Sequence, residues 1–494
     1  MIAHLQSPQE AASWFRAHVT GSLYADSRRI KPGDGFLAWP GAARDARHYV
    51  CDAVQSGASA CLVERSDMEK YAFSGDKIAS YDSLKTAAAP IAAAYFDQPS
   101  YQLQTVAVTG TNGKTSTAWW LAHALNKLNN KCGIVGTLGI GAPNALEPNG
   151  LTTPDPVLLQ QQLRRFVDLG FTACAIEASS IGIAEHRLDA MRFDVAVFTN
   201  LTQDHLDYHG SMQSYWAAKQ SLFNWPGLRA AVLNIDDEHG FALSQKLAQS
   251  KLDVWTVAID QSARLQARAV NQSANGSTFV VVEGTQQCEV TSPALGLYNV
   301  SNVLGVMGAL RALGVCLGDA ANACSDLPAV PGRLNTLGGS GVPLVAVDYA
   351  HTPDAIEKVL TALRPVALAR GGQLWCVVGC GGDRDAAKRP LMAAKACVHA
   401  DRVVITSDNP RSEEPAEIIR QMLLGLSGQP VRVQPDRALA IADAVASAGP
   451  EDVILIAGKG QENYQETAGV KRPFDDTVHA QAALGLRLPV GAAA

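Results

Sequence analysis

Residues 105–128 read TVAVTGTNGKTSTAWWLAHALNKL, in which a short apolar run passes into a glycine-rich loop and then into a helix-like segment. This order predicts a buried strand, a tight loop and a helix. A glycine loop at a helix N-terminus presents backbone N–H groups and the positive end of the helix dipole to phosphates, Lys114 adds a positive charge, and Thr115 can ligate Mg²⁺. Gly110 and Gly113 are separated by only two residues, which departs from the common GxxxxGK[ST] loop. We predict a nucleotide-phosphate site, because a plain glycine turn with an exposed lysine would not explain strand, loop and helix in this order.

Other apolar runs repeat this pattern. Each ends in a polar, glycine-rich or acidic cluster, and they occupy residues 173–180, 194–200, 230–236, 345–351, 374–382, 401–410 and 452–460. Helix-like stretches such as residues 156–170 lie between them, and this alternation predicts an α/β fold with parallel sheets and right-handed crossovers. The last three runs indicate a second, Rossmann-like unit. Ligands of such sheets bind outside the carboxyl ends of the strands, so we expect the chemistry between two α/β domains.

The length of 494 residues exceeds what one hydrophobic core usually organises, and it predicts roughly three domains. The first hundred residues contain shorter apolar runs, and the segment DSRRIKPGDGFLAWPG is typical of turn, strand and turn. A turn at Pro99 and the segment PAVPGRLN contain the proline and glycine residues that are typical of domain boundaries. We therefore expect a small N-terminal α/β domain at 1–99, a central P-loop-type parallel-sheet domain at 100–331 and a C-terminal Rossmann-like domain at 332–494.

Composition excludes several classes of protein. With 47% hydrophobic and 18% charged residues, the chain is typical of a folded globular protein. The net charge of -6 comes without a Lys/Arg block, which argues against a nucleic-acid partner. The N-terminus lacks a basic and apolar leader, and no apolar run is long enough to span a bilayer, so we expect a cytoplasmic protein without a membrane span. The ten cysteines form no CxxC pair and are predicted to be reduced core residues.

Two other strand ends carry candidate metal ligands, Glu177 in EASS and His205 in FTNLTQDHLDYHG. Oxygen ligands and one imidazole around nucleotide phosphates suit Mg²⁺ better than a dedicated zinc site. Taken alone, each residue would more often belong to a capped turn or be a hydrogen-bonded core histidine. Lys219 follows in the helix-like stretch YWAAKQSLF, whose apolar spacing predicts an ordinary solvated side chain.

The C-terminal third has charged clusters of both signs just beyond two predicted strands. They are Arg384, Asp385, Lys388 and Arg389 in one motif and Asp408, Asn409 and Arg411 in the next. Arginine offers a planar fork to a carboxylate and aspartate suits an ammonium group, so an amino-acid site is one interpretation. A salt-bridged loop is the other. The segment GCGGDR fails the GxGxxG spacing, which argues against a nicotinamide dehydrogenase.

Taken together, these motifs resemble those of the Mur ligase superfamily, and within it the UDP-N-acetylmuramoyl-tripeptide synthetases. The resemblance covers nearly the whole chain. Its markers, in chain order, are DSR, TGTNGKTS, TTPDP, EASSIGIAEHRLD, FTNLTQDHLDYHG, YWAAK, PGRLN, DYAHTPDAI, GCGGDRD, SDNPR and GKGQENYQ.

The resemblance implies a three-domain ATP-dependent ligase of cytoplasmic peptidoglycan precursor synthesis. The N-terminal domain would bind the UDP moiety, the central domain ATP, and the C-terminal domain the incoming amino acid. The implied reaction adds meso-2,6-diaminopimelate to the D-Glu γ-carboxylate of UDP-MurNAc-L-Ala-D-Glu through an acyl phosphate, in an enzyme expected to be a monomer. The alternatives are the L-lysine-adding homologue, folylpolyglutamate synthetase and a regulatory nucleotide-binding protein without ligase chemistry.

The resemblance also assigns roles to residues. Catalysis and two Mg²⁺ ions would involve Lys114, Thr115, Glu177, His205 and Lys219, with Lys219 carbamylated. The ATP contacts would be Gly110, Thr111, Asn112, Gly113, Lys114, Thr115, Ser116, Asn299, Arg333 and Asp348. The UDP-sugar-peptide contacts would be Ser27, Thr152, Thr153, Ser179, Glu185 and Arg187. The amino-acid contacts would be Arg384, Asp408, Asn409, Pro410, Arg411, Gly458 and Glu462. Departures from the family pattern stand at Leu151, Ile181 and Glu185.

Overall fold

The structure, a computed structural model, describes residues 2–41, 44–273, 276–428 and 430–487. Its described part contains a five-stranded, an eleven-stranded and a six-stranded sheet, which follow one another along the chain, and a two-stranded hairpin. Helices cover the sheets, so the predicted α/β class is confirmed.

The first sheet is parallel throughout, in the order β1-β5-β4-β3-β2. Its strands are β1 Ala3–Leu5, β2 Leu23–Tyr24, β3 Gly35–Ala38, β4 Ala60–Glu64 and β5 Ile78–Tyr81, and its helices are α1 Pro8–His18, α2 Val50–Gln55 and α3 Leu84–Tyr95. The Ser7 hydroxyl caps α1 by accepting from Glu10 N, and Pro8 occupies the first helical position, where its missing N–H costs no hydrogen bond. Helices α1 and α3 pack together on one face of the sheet.

The second sheet has the order β16-β15-β14-β13-β12-β11-β6-β10-β7-β8-β9. Its strands are β6 Gln104–Thr109, β7 Cys132–Gly136, β8 Gly139–Ala142, β9 Ala145–Glu147, β10 Ala173–Glu177, β11 Val195–Phe198, β12 Ala230–Asn234, β13 Asp253–Ala258, β14 Leu265–Ser273, β15 Gly276–Glu283 and β16 Gln286–Ser292. The strands from β14 to β7 in that order pair in parallel, and antiparallel strands extend both edges.

Helices on both faces bury the second sheet in two hydrophobic cores. They are α4 Lys114–Lys127, α5 Pro156–Asp168, α6 Ser180–Ala184, α7 Leu206–His209, α8 Met212–Gln220, α9 Glu238–Leu247, α10 Leu297–Ala312 and α11 Leu317–Cys324. Strands buried on two faces are apolar almost throughout, which is why these runs are readable from sequence. Strand β6 lies between β11 and β10, so the glycine loop that follows it emerges near the middle of the sheet.

The third sheet has the order β17-β18-β22-β19-β20-β21, parallel except for β17. Its strands are β17 Asn335–Gly338, β18 Leu344–Asp348, β19 Leu374–Val378, β20 Arg402–Ile405, β21 Arg432–Val433 and β22 Val453–Ala457, and the hairpin is β23 Tyr464–Thr467 and β24 Val470–Pro473. Its helices are α12 Pro353–Arg370, α13 Lys388–His399, α14 Pro415–Leu423, α15 Arg437–Ser447 and α16 Asp476–Gly485. Short 3-10 helices elsewhere are Ser27–Arg29, Ala46–Tyr49, Met68–Lys70, Pro99–Gln102 and Ser221–Asn224.

The cysteines are free, as predicted, but Cys51 and Cys316 are exposed, so the prediction that they all lie in the core is wrong. Cys316 caps α11, a polar role that needs no burial.

The domain boundaries at 99/100 and 331/332 stay a prediction, although each of the three large sheets falls within one of the expected segments. Among the described helices, none has the length and apolarity needed to cross a membrane.

Candidate active site

The loop between β6 and α4 depends on two glycines. Gly110 has φ 147°, and a Cβ there would lie 1.9 Å from the hydroxyl oxygen of Thr199. Gly113 has φ 86°, and its Cβ would lie 2.3 Å from Oδ1 of Asn302. The loop therefore packs tightly against the end of β11 and against α10, and its backbone N–H groups lie at the N-terminus of α4, where phosphate binds favourably.

Lys114 folds back over this loop. Its Nζ donates to the carbonyls of Gly110 at 2.9 Å and Thr111 at 2.8 Å. Burial lowers the pKa of the Lys114 ammonium, while the negative charges of Glu177 and Asp204 oppose that effect. The side chain is thus held where a phosphate could replace the carbonyl oxygens.

Glu177, at the end of β10, has a buried carboxylate that accepts hydrogen bonds from neighbouring hydroxyl groups. Its Oε2 accepts from the hydroxyls of Thr115 at 2.9 Å and Thr137 at 3.2 Å, and its Oε1 accepts from Thr137 N at 2.8 Å. Arg333 also donates from Nη2 to the Thr115 hydroxyl at 3.1 Å. The segment that enters the third sheet therefore reaches the phosphate loop.

His205 follows a buried aspartate, Asp204. The Asp204 carboxylate lies 3.2 Å from Nζ of Lys388, 3.5 Å from Nε2 of His205 and 3.6 Å from Nε2 of His351. Burial opposes ionisation of Asp204, but the nearby His351 imidazole and the charge of Lys388 hold the pKa of this carboxyl well below its usual value. Burial lowers the pKa of His205 to about 4, which leaves its imidazole neutral and able to act as a ligand.

Lys219 is buried, so the prediction from helix spacing that its side chain is solvated is wrong. Its Nζ donates to Gly110 O at 2.7 Å and lies 4.4 Å from the centre of the Tyr215 ring. Burial, with a further contribution from the charge of Lys114, lowers the pKa of Lys219 well below its usual value. The helical pattern failed because α8 packs its polar side against the phosphate loop, a contact that local spacing cannot reveal.

One cleft joins these groups. It encloses about 1130 Å³, counting its open mouth, and among its lining are Thr111 to Ser116, Thr152, Glu177, Ser179, His205, Lys219, Asn299, Arg333 and Asp348. Asp348 accepts from the backbone of Leu334 and Ala350 at 2.8 and 2.7 Å, and burial raises its pKa. Gly110 is not part of this lining. The cleft is built from both the second and the third sheets, as the polar strand ends predicted.

Two of the predicted sugar-peptide residues, Thr152 and Ser179, line the cleft, and Thr153 and Arg187 are hydrogen-bonded next to them. Thr153 donates to Glu177 O at 2.8 Å and shares a hydrogen bond with the Ser179 hydroxyl at 2.9 Å, while Arg187 donates to Thr153 O at 2.8 Å. Ser27 begins a 3-10 helix in the N-terminal sheet region and does not line the cleft.

Glu185 has two partners of its own. Its Oε2 lies 2.7 Å from Nζ of Lys85 on α3, and its Oε1 accepts from the Tyr208 hydroxyl at 2.5 Å. Burial alone would raise the pKa of Glu185, but the hydrogen bonds from Lys85 and Tyr208 lower it. Glu185 is therefore an anion compensated by a lysine from the N-terminal part of the chain.

The predicted amino-acid residues form a second cluster, at the carboxyl ends of β19, β20 and β22. Asn409 donates to Glu462 at 2.8 Å, and a Cβ on Gly458 would lie 2.4 Å from the Asp408 carboxylate. Arg411, with φ 53°, donates to Gly382 O at 2.7 Å. None of the cluster's predicted residues lines the phosphate-loop cleft, namely Arg384, Asp408, Asn409, Pro410, Arg411, Gly458 and Glu462.

Neighbouring charges of that motif have structural partners instead. Arg389 is buried against Glu413, with hydrogen bonds of 2.7 and 2.8 Å, and Lys388 pairs with Asp204. Asp385 accepts from Gln203 at 3.0 Å. The salt-bridge interpretation thus holds for Arg389 and Lys388, whereas the partner of Asp385 is a neutral amide. Arg384 is exposed and donates to the adjacent Asp383 carbonyl.

Two oxygen donors beside the phosphate loop suit a magnesium ion. Within the described ranges, no group of three His, Cys, Asp or Glu side chains is arranged to hold a metal ion. Magnesium bound with nucleotide phosphates needs only one or two protein oxygens, because phosphates and water complete its shell. The Thr115 hydroxyl and the Glu177 carboxylate, 2.9 Å apart, fit that requirement.

Comparison with known proteins identifies the family. A family model for the Mur ligase middle domain matches residues 108–310, and one for the Mur ligase, glutamate ligase domain matches residues 332–460. A relative from Acidovorax sp. (strain JS42), named UDP-N-acetylmuramoyl-L-alanyl-D-glutamate--2,6-diaminopimelate ligase, is 57% identical over 491 residues, with 98% of both chains covered. The chain belongs to the Mur ligase family.

Solved structures of Mur ligases share the fold of this one. A structure of a UDP-N-acetylmuramoyl-L-alanyl-D-glutamate--2,6-diaminopimelate ligase has 33% identity and a TM-score of 0.64, and the alignment covers 94% of this Mur ligase and 95% of that chain. MurF ligase from Thermotoga maritima in complex with ADP aligns at 19% identity with a TM-score of 0.70, covering 95% and 99% of the two chains, which bears on the fold alone.

Sequence reasoning missed several residues of this Mur ligase. Lys459 is fully buried and contacts two of the predicted amino-acid residues, and Arg437 is buried behind the same cluster. The motif GKGQENYQ contains Lys459, so a signal existed there. Arg437 lies in no such motif, and nothing local in its sequence points to the site.

Proposed function

We propose that this Mur ligase joins meso-2,6-diaminopimelate to the D-Glu γ-carboxylate of UDP-MurNAc-L-Ala-D-Glu at the expense of ATP. The observation that carries the proposal is one cleft in which a phosphate loop, a buried carboxylate and Arg333 meet between two sheets, next to a cluster suited to an amino acid. The names of the relatives supply the substrates, since 98% of the chain aligns with a diaminopimelate ligase.

The reaction has two steps. An oxygen of the γ-carboxylate attacks the γ-phosphorus of ATP, the bond to the ADP oxygen breaks, and an acyl phosphate forms. A neutral amine of diaminopimelate then attacks the acyl carbon and a C–N bond forms. Phosphate leaves with the electrons of the C–O bond and takes up the proton that the amine nitrogen loses. Loop N–H groups and Lys114 would stabilise the charge that builds on the phosphoryl oxygens. Contact between the two sheets would exclude water, which hydrolyses acyl phosphates.

Magnesium and a carbamate complete the proposal. Thr115, Glu177, His205 and a carbamylated Lys219 would hold two Mg²⁺ ions, which when bound offset the charge between carboxylate and triphosphate. The lowered pKa of Lys219 supports the carbamate, because a neutral amine adds CO₂, loses a proton and becomes an anion. The bicarbonate-dependent modification would thereby convert a buried lysine into an oxygen ligand.

The remaining assignments follow the resemblance. We assign ATP contacts to Gly110 through Ser116, Asn299, Arg333 and Asp348, and the UDP-sugar-peptide contacts to Ser27, Thr152, Thr153, Ser179, Glu185 and Arg187. The Arg411 guanidinium is assigned to the distal carboxylate of diaminopimelate, which lysine lacks, and leaving this half-buried guanidinium without that carboxylate would disfavour lysine. We also propose that the enzyme acts as a cytoplasmic monomer.

The decisive experiment measures phosphate release from ATP and Mg²⁺ with UDP-MurNAc-L-Ala-D-Glu, comparing meso-diaminopimelate with L-lysine. We expect turnover with diaminopimelate and little with lysine. Preference for lysine would remove the role given to Arg411. If neither amino acid supports phosphate release but a folate and glutamate do, the reaction is that of a folylpolyglutamate synthetase and the proposed reaction is wrong.

A further inference from the structure

Lys459 lies under the amino-acid cluster, between β22 and the hairpin. Its side chain is 0% exposed, and its Nζ donates to Oδ1 of Asn409 at 3.0 Å and to Oε2 of Glu462 at 3.1 Å. Asn409 in turn donates to the same Oε2 at 2.8 Å. The three side chains close a triangle of hydrogen bonds, and the Tyr464 ring lies 5.4 Å from the Lys459 ammonium.

The triangle determines where Glu462 can lie. Glu462 sits in the loop between β22 and β23, and its side chain is 19% exposed, so its backbone alone would leave several rotamers open. Both bonds from Lys459 and Asn409 end on Oε2. Oε1 accepts no hydrogen bond from any described residue and is left for a ligand. A carboxylate held by one oxygen can present the other in a single direction.

Asn409 is oriented by the same lysine. Its Oδ1 accepts from Lys459 Nζ and from Glu466 N at 3.0 Å, so the amide is fixed with its nitrogen toward Glu462. Asn409 itself is buried. Without the lysine, Oδ1 would keep only one donor, and Glu462 would lose the nearest opposite charge in a buried setting, where an unpaired charge is costly.

We propose that Lys459 is a positioning residue for the incoming amino acid: it holds Asn409 and Glu462 so that Oε1 of Glu462 receives an ammonium group of the diamino substrate. The inference rests on the proposed function. Lys459 does not contact the reacting atoms, and its effect on the amino acid passes through Glu462. The proposal concerns capture of the amino acid and leaves ATP binding unaffected.

The test compares Lys459→Met with the intact enzyme by phosphate release. We expect the KM for meso-diaminopimelate to rise about 10- to 100-fold, the effect of losing hydrogen bonds to a charged group. The KM values for ATP and for the UDP substrate should change by less than about twofold, because substitutions at distant sites act roughly independently. Lys471→Met is the matched control, since Lys471 also lies beside the Tyr464 ring, at 4.2 Å, but is exposed on β24.

A double variant separates positioning from general damage. If Lys459 acts through Glu462, adding Lys459→Met to Glu462→Gln should raise the KM for diaminopimelate little beyond the single Glu462→Gln change. Additive effects, or an unchanged or lower KM in Lys459→Met, would overturn the proposal. If Lys459→Met does not fold, Lys459→Gln keeps one donor and should show the same pattern with a smaller increase.

The proposed substrate can be wrong while the positioning role of Lys459 is correct, and the two outcomes can be distinguished. If the intact enzyme turns over L-lysine in place of diaminopimelate, the substrate assignment is wrong, and the same variants are then measured with L-lysine, which has an ammonium group for Glu462. A raised KM for that amino acid would still support the positioning role. An unchanged KM would refute it.

Discussion

The chemistry of single residues in this protein depends more on their burial than on the type of amino acid. Lys219 and Lys471 are both lysines in regular secondary structure, yet the first is buried against the phosphate loop and the second is exposed. Burial, with a further contribution from the charge of Lys114, lowers the pKa of Lys219 well below its usual value. Deprotonation at neutral pH is the condition for adding CO₂.

We predict that Lys219→Ala lowers kcat by about 100-fold or more, because an electrostatic group of the phosphoryl-transfer site is lost. Steady-state phosphate release measures the effect, and a carbamate signal in ¹³C NMR of enzyme supplied with ¹³C-bicarbonate should vanish with the substitution. Lys246→Ala, in an exposed lysine of α9, is the control. Full activity of Lys219→Ala without added bicarbonate or chloride would refute the carbamate.

Asp45 shows the opposite effect of surroundings on a carboxyl group. Arg47 donates to it from Nε at 3.0 Å and from Nη2 at 2.6 Å, and the Tyr71 hydroxyl donates at 2.8 Å. The hydrogen bond from Arg47 is the largest cause that holds the pKa of Asp45 well below its usual value. In the unfolded chain the pKa is about 3.9. Unfolding therefore takes up a proton below that pH, and the stabilisation is present above it and lost as pH falls through the folded pKa.

Asp45→Asn should therefore lower the free energy of unfolding of the N-terminal sheet by about 1–2 kcal/mol at pH 7, since hydrogen bonds to charged groups are lost at a partly exposed site. The difference from the unchanged protein should shrink below about pH 4. Urea unfolding followed by tryptophan fluorescence measures both. Asp52→Asn, at an exposed position of α2, is the control. A difference that does not depend on pH would contradict the assignment to ionised Asp45.

At the scale of elements, one buried ion pair ties helices to strand ends. Arg437 is the first residue of α15 and Asp476 the first of α16, and both are fully buried with two hydrogen bonds of 2.7 Å between them. Arg437 also donates to Ser407 O at 3.2 Å and Ala457 O at 3.0 Å. The pair thus holds the carboxyl ends of β20 and β22, from which the amino-acid cluster begins.

Arg437→Met should destabilise the C-terminal part by about 3–5 kcal/mol, because Asp476 would remain buried without its partner. The double change Arg437→Met with Asp476→Leu should cost less, since neither charge is left unpaired. Equilibrium urea unfolding of the two variants gives the comparison. A double variant at least as unstable as the single one would show that the pair stabilises the fold beyond charge compensation.

At the scale of the whole molecule, polar contacts cross from the phosphate loop side to the third sheet. Among them are Lys388 to Asp204 at 3.2 Å, Gln203 to Asp385 at 3.0 Å, Asn112 to Asp354 at 3.0 Å and Arg333 to Thr115 at 3.1 Å. Each joins residues that lie far apart in sequence. The cleft is complete only when the two parts are in contact.

Lys388→Met should weaken this contact, because it leaves the buried Asp204 carboxylate without its lysine. We expect kcat to fall about 10- to 100-fold and the radius of gyration measured by small-angle X-ray scattering with ATP and Mg²⁺ to increase, with little change in affinity for the UDP substrate. Lys395→Met, in the same helix but paired at the surface with Glu357, is the control. Equal kcat and radius in the two variants would refute the role of the Lys388 contact.

Local order in the chain was enough to predict the phosphate loop, the central strands and the α/β class. The run TVAVTG is apolar because β6 is buried on both faces, and the requirement for glycine at positions 110 and 113 is set by backbone angles at those positions. The strands β14 to β16 at one side of the sheet alternate in burial and lack that continuous signal, so the sequence pattern does not predict them. The role of Lys219 was predicted from the resemblance to Mur ligase motifs. No local pattern in the sequence indicated it.

The sequence by itself therefore determined the order of strands, loops and helices and the identity of the family. Only the tertiary structure decided which charged side chains are buried and with whom they pair. Lys459 and Asn409 are 50 residues apart, and Arg437 and Asp476 are 39 apart. Pairing at such separations depends on how sheets bring strand ends together, and neither periodicity nor residue type carries that information. The physical reason is that burial, which sets the charge and the orientation of these groups, is a property of the packed molecule.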